Sequence, residues 1–137
     1  MINKTITKNI LLIVIPLIIL TSYIMYFTVF SREPNINIKV KNNTNSTIND
    51  LKIISESMRN NINIPPIKSN ETYKIKINSL NEFIKEEGSI YLSYKNKENK
   101  EEKICIIGYI EKGQEENVTI IISKDKNKEY NIILEES

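Results

Sequence analysis

The sequence predicts an all-β domain, an antiparallel β-sandwich of seven to eight short strands, preceded by one N-terminal transmembrane helix. Three observations lead there. An uncharged apolar run of 21 residues, Ile10 to Phe30, stands near the start of a 137-residue chain. Beyond it, short segments alternate apolar and polar side chains with the two-residue period of half-buried strands. Polar, Asn- and Lys-rich turns separate those segments at roughly 8–15-residue spacing, as in a two-sheet sandwich.

The apolar run reads ILLIVIPLIILTSYIMYFTVF. As a helix it would be roughly 31 Å long, matching a hydrocarbon core of about 30 Å. Pro16 is tolerable there, because neighbouring groups and local adjustment satisfy the carbonyl it frees. Lys4 and Lys8 precede the run, and Arg32 after it is offset by Glu33. The excess of positive charge on the first side places residues 1–9 in the cytoplasm as a short tail, with residues 31–137 extracytoplasmic. Tyr23, Tyr26, Phe27 and Phe30 crowd the distal end as an aromatic belt. The expected location is therefore the cell membrane, crossed once. The competing reading is a cleaved secretory signal, with Val29 and Ser31 at −3 and −1 for cleavage after Ser31 and a wall-associated or secreted protein as product. A tail of nine residues is too short to fold, so a signal crossing the membrane would need a partner protein.

Residues 31–35 form a linker, and the sandwich is expected over 36–137. INIKVKN (36–42) alternates without a fault, with Ile36, Ile38 and Val40 on one face. NNTNST (42–47) is a polar turn; strands follow near 51–55 and 61–64, the latter ended by Pro65-Pro66. TYKIKIN (72–78) is the next clean alternation, with Tyr73, Ile75 and Ile77 inward. Ser79 to Glu82 has capping-box spacing, and Leu80, Phe83 and Ile84 share a helical face, predicting a two-turn helix that ends before Gly88. SIYLSYK (89–95) turns Ile90, Leu92 and Tyr94 inward. KICIIGYI (103–110) is apolar on both faces, which predicts a central strand, with Gly108 at a bulge. NVTIIISK (117–124), a turn through Asp125 to Asn127 and EYNIILE (129–135) complete the chain.

Composition excludes several kinds of chemistry. The chain has no His, which removes histidine bases, histidine metal ligands and histidine pH switching. Its single cysteine, Cys105, makes no intrachain disulfide and no multi-cysteine zinc site. Within an apolar run it reads as a small buried hydrophobe. From Ser31 onward, 17 basic and 17 acidic side chains cancel, which argues against nucleic acid as a partner. The acidic doublets Glu86-Glu87, Glu101-Glu102, Glu115-Glu116 and Glu135-Glu136 read as solvated turns, because adjacent strand residues point to opposite faces. No metal and no cofactor are expected. The only glycines are Gly88, Gly108 and Gly113, so there is no glycine-rich phosphate loop. The chain is not expected to be an enzyme. Sequons stand at Asn42, Asn45, Asn70 and Asn117, and matter only in a host that glycosylates them.

IKVKNNTNSTINDLKI followed by IPPIKSNETYKIKI resembles bacterial immunoglobulin-like domains of the cell-adhesion-related type. Those domains often carry a Pro-Gly-Glu-Thr turn where this chain has Ser69-Asn70-Glu71-Thr72, with Asn70 in the glycine position. The whole chain also resembles small single-pass membrane proteins of low-GC Gram-positive bacteria, including the strand-turn GYIEKG at 108–113. The resemblance covers about residues 36–134 and rests on turn chemistry. It implies an immunoglobulin-like β-sandwich ectodomain with a non-catalytic role in interaction or adhesion, as an accessory subunit of an envelope complex, with no fixed ligand. No buried tryptophan and no cysteine pair are present, so an antibody-type domain is excluded.

One surface stands out. Lys39 and Lys41 alternate outward from the first strand, and Lys74 and Lys76 do so from TYKIKIN. In an immunoglobulin-like order those two strands can lie in one sheet, assembling a four-lysine patch suited to anionic lipid head groups or wall polymers. The plainer reading of the same lysines is solubility and protection of a sheet edge. The expected partners are the membrane itself and an envelope protein or wall polymer.

Overall fold

The computed structural model describes residues 4–30, 33–125 and 130–136. The chain divides into two units, Met1–Glu33 and Pro34–Ser137.

The first unit holds helix α1, Lys4–Phe30, which runs unbroken through Pro16. Hydroxyls within it turn back on the helix: Thr21 donates to the Ile18 carbonyl at 3.0 Å and Thr28 to that of Met25 at 3.1 Å. Side chains from Leu12 to Thr28 are exposed, and Tyr23 stacks on Phe27 at 6.1 Å. Among the described residues no helix is long and apolar enough to cross a membrane. Cleavage after Ser31 falls on residues outside the described ones.

The second unit is a two-sheet β structure. Its strands are β1 (Asn35–Asn42), β2 (Lys52–Ile54), β3 (Ile62–Asn63), β4 (Thr72–Asn78), β5 (Glu87–Lys95), β6 (Glu101–Glu111), β7 (Glu116–Lys124) and β8 (Tyr130–Glu136), with the one-turn helix α2 (Ser79–Glu82) after β4. Sheet 1 has the order β4-β1-β7-β8 and sheet 2 the order β3-β2-β5-β6. All pairings are antiparallel except β1 with β7. β1 and β2 lie in different sheets, unlike the first two strands of the antibody order. The turn expected at 125–127 extends into residues outside the described ones.

Isoleucine builds the core, because a β-branched side chain suits a pleated, half-buried surface. Ile36, Ile38, Val40, Ile120 and Ile122 of sheet 1 pack in one cluster with Ile53, Ile90, Leu92 and Ile110 of sheet 2. Connections close its margins: Ile48 and Ile67 exchange backbone hydrogen bonds at 2.9 and 3.0 Å, and Met58 bridges Phe83. The turn after β1 is organised by Asn42, which is fully buried. Its Nδ2 donates to the carbonyls of Ser46 and Ile67, both at 2.8 Å, and its Oδ1 accepts from the Thr44 amide at 2.8 Å. Asn70 adopts φ 61°, the left-handed conformation that asparagine tolerates best after glycine. That is the conformation the glycine-like position before β4 demands.

Several expectations change. β6 is an edge strand, not a central one. Its register against β5 slips twice, between Gly88/Ile90 and Ile90/Tyr91, and each slip leaves an extra residue on β6. The bulges allow the neighbours Ile106 and Ile107 both to be buried, with Ile110 following on the same side. An apolar run that looked two-faced is thus a one-faced strand with bulges, one of them at Gly108-Tyr109. Cys105, paired with Tyr91, is consequently exposed rather than a buried hydrophobe. Tyr73 faces inward near the margin of sheet 1 and stays 37% exposed, because β4 is an edge.

The two-turn helix is a single turn. Asn78, not Ser79, caps it, its Oδ1 accepting from the amides of Leu80 (3.1 Å) and Asn81 (3.0 Å). Ser79 is buried and clamps the chain instead, its hydroxyl donating to the Gln114 carbonyl at 2.7 Å. Phe83 is buried against the core while Leu80 and Ile84 are exposed, so the three do not form one packed face. Gly88 lies inside β5 and ends no helix.

Candidate functional site

The alternation of β1 and β4 sends odd-numbered residues of β1 and even-numbered residues of β4 to the outer face of sheet 1, where Lys39, Lys41, Lys74 and Lys76 are all exposed. Antiparallel pairing sets Lys39 directly opposite Lys74, Lys76 opposite Asn37 and Lys41 opposite Thr72. Directly opposed side chains start about 5 Å apart at Cβ, and those two apart on one strand about 7 Å. The four ammonium groups therefore share one small block of surface. Among the described residues none of the four is in an ion pair.

The rest of that face is uncharged near the lysines, with Ile121 of β7 beside Lys41 and Ile133 of β8, 47% exposed, beyond it. On the far side of β1, Asn117 and Thr119 of β7 stand beside Asn37 and Lys39, and Asn37 Nδ2 donates to Asn117 Oδ1 at 2.9 Å. Glu135 of β8 lies beyond Thr119, two strand spacings or about 10 Å from β1, past the Debye length of about 8 Å at physiological salt. Like charges directly opposed across strands lower stability. Protection of an edge accounts for Lys74 and Lys76 on β4, but not for Lys39 and Lys41, since β1 is interior to the sheet.

Other surfaces carry mixed charge. A groove of about 850 Å³ on sheet 2 is lined by Lys52, Lys85 and Lys103 together with Glu56, Glu87 and Glu101. Lys103 Nζ sits 5.1 Å from the centre of the Tyr91 ring. The Tyr109 hydroxyl lies between the carboxylates of Glu111 (2.8 Å) and Glu87 (3.1 Å). Its hydrogen bonds, first to Glu111 and then to Glu87, push its pKa up to about 12. A second hollow of about 480 Å³ is lined by Tyr94, Tyr130 and Lys124, with the two rings edge to face at 6.0 Å. There Glu102 accepts from Asn96 (2.7 Å) and Tyr94 (2.9 Å), and these bonds, that of Asn96 foremost, hold its carboxyl below the usual range. Burial raises the Tyr130 phenol. Among the described residues no group of three or more His, Cys, Asp or Glu could hold a metal ion.

Of the sequons, Asn42 is fully buried with its amide engaged and is closed to modification in the folded chain, whereas Asn45, Asn70 and Asn117 are exposed. Sequence reasoning found the four lysines but not the carboxylate clasp on Tyr109. No local pattern announces that clasp, since Glu87 reaches it from another strand.

No family model matches the chain, and no curated protein matches it. A solved structure described as the NMR structure of the protein from Eubacterium rectale is similar at 10% identity, over 77% of this chain and 92% of that one, with a TM-score of 0.49.

Proposed function

We propose that the protein is a single-pass membrane protein whose extracytoplasmic β-sandwich is a non-catalytic interaction or adhesion module. The lysine face of sheet 1 is its contact surface, and an anionic polymer of the cell envelope is what it contacts. The sandwich is immunoglobulin-like in architecture rather than in strand order. The observation that carries this reading is the Lys39–Lys74 pairing, flanked by Lys41 and Lys76, with no carboxylate among the described residues paired to any of them. Four unneutralised ammonium groups on a flat face attract a chain of repeated negative charges. Beside the block Asn37, Lys39, Lys41, Thr72, Lys74 and Lys76 the apolar residues are Ile121 and Ile133, a small area next to four ammonium groups, which favours a polymer over insertion among lipids.

The anchor rests on the uncharged run 10–30 and on the exposed apolar side chains of α1, which water alone would leave uncovered. Val29 and Ser31 support the alternative of release by cleavage after Ser31, and the intact mass of the native protein separates the two.

The test is binding of the full chain in neutral detergent to long-chain polyphosphate, alongside vesicles containing anionic lipid. The expected result is polymer binding that fades as salt rises through roughly 0.5 M, where the Debye length falls to about 4–5 Å. Replacing Lys39, Lys41, Lys74 and Lys76 together with Gln should weaken binding at least about tenfold while leaving the melting behaviour nearly unchanged. Binding indifferent to both salt and the substitutions would overturn the reading, and binding to vesicles alone would move the partner to lipid.

A further inference from the structure

Both sheets are open among the described residues, with β4 and β8 at the edges of sheet 1 and β3 and β6 at those of sheet 2. A free edge is a row of unpaired backbone groups that another chain can join, and proteins blunt such edges with short strands, prolines, bulges or lysines. Three of the four are blunted here. β3 has two residues, and Pro65-Pro66 follow closely. β6 carries two register slips. β4 presents Lys74 and Lys76, so a second β4 laid against it would bring lysine against lysine.

β8 has only two charges, Glu135 and Glu136, at its end. It pairs with β7 over seven consecutive residues without a slip, and Tyr130–Glu136 contains no Lys and no Pro. Ile133 and Leu134, which face opposite sides of the sheet, remain 47% and 37% exposed.

The registers across sheet 1 show what fits there. Lys74 pairs with Lys39, Lys39 with Thr119, and Thr119 with Glu135, so one row on the outer face begins in a cation and ends in an anion. The adjacent row, on the inner face, runs Tyr73, Val40, Ile120, Leu134. Its two middle residues are fully buried, and its two ends are both 37% exposed. β4 and β8 are each reached through antiparallel pairings from the parallel pair β1 and β7, so they run in the same direction.

We propose that copies of this chain associate head to tail, the β8 edge of one copy adding in parallel to the β4 edge of the next. Continuing the rows sets Glu135 beside Lys74 of the second copy and Leu134 against its Tyr73. Inner faces then meet inner faces and outer faces meet outer faces. Such a contact is heterologous and does not close on itself, so it generates rows rather than a dimer. Seven-residue edges bury little area, which makes each contact weak and transient. The inference stands apart from polymer binding, although rows of copies would align their lysine faces and multiply that binding.

Cross-linking tests it. In full-length chain carrying Cys105→Ser and reconstituted in neutral-lipid vesicles, Tyr73→Cys with Leu134→Cys should give a ladder of dimers, trimers and longer species on mild oxidation, since neighbouring strands hold Cα atoms within disulfide reach. Neither single variant should form the ladder. A second arm uses charge: with the same cysteine pair, adding Lys74→Glu or Glu135→Lys alone should reduce the ladder several-fold, and adding both should restore it. No ladder from the cysteine pair, or a ladder indifferent to the charge reversals, would overturn the proposal. So would an Ile133→Cys single variant that gives dimers and nothing larger, because that result marks a symmetric β8–β8 contact instead.

Discussion

A Cβ atom placed on Gly88 would meet Ser57 Oγ at 2.0 Å and Ser57 Cβ at 2.6 Å. Ser57 is buried, and its hydroxyl donates to the Glu87 carbonyl at 2.6 Å, pulling the β2–β3 connection onto the start of β5. Gly88 is therefore small for want of room, and its conformation is ordinary extended strand.

Gly88→Ala should accordingly destabilise the sandwich by about 1–3 kcal/mol, the usual cost of overpacking a site that cannot give. In a unit of this size each kcal/mol lowers the melting midpoint by roughly 4–8 °C. Ser57→Gly in the same chain removes the clash, so the double variant should melt above the value expected if the two losses added. Strict additivity, read by circular dichroism on thermal unfolding, would show that the close approach is not the cause.

Asn42 should be among the least replaceable polar residues. Asn42→Ala leaves the Thr44 amide and the carbonyls of Ser46 and Ile67 without that partner. The carbonyls of Ser46 and Ile67 keep a second donor each, Thr44 Oγ1 and the Ile48 amide, but the buried Thr44 amide is stranded, and the expected loss is about 1–3 kcal/mol. Asn42→Asp keeps the acceptor but loses both donors, and should fare no better. Asn45→Ala, at an exposed position of the same turn, should change the midpoint by no more than a few degrees. Equal effects at 42 and 45 would refute the assignment.

Cys105 should label readily in the folded chain. It is exposed on an edge strand, so a maleimide should modify it within minutes, with unfolding changing the rate by less than about tenfold. Slow labelling that accelerates a hundredfold or more in denaturant would mean that β6 is covered, contrary to its place in the sheet.

The period of two in β1, β4 and β5 is a local property, and it located those strands to within a residue or two from the sequence alone. The same alternation sorted the lysines to one face, because successive strand side chains must point to opposite sides. The turn at Asn70 came from the resemblance, which put Asn70 in a glycine position, and its φ of 61° is one that asparagine tolerates. Polar Asn42, by contrast, looked like any other residue of a solvated turn. Its burial depends on Ile67 and Glu71 arriving from 25 or more residues away.

What the sequence by itself determined is the division into an apolar helix and a β-rich remainder, the positions of the strands, and, outside β6, which side chains share a face. Each follows from interactions among near neighbours along the chain. Only the tertiary structure decided which strands are edges, where the pairing slips, and that Lys39 meets Lys74 while Glu135 stands at the opposite margin. Strand order is set by which backbone edges find each other and by how two apolar faces best close over one core, and neither is written in any single segment. That is why Ile106 and Ile107 read as the two faces of a central strand until the bulges put both on one side, and Cys105 in solvent.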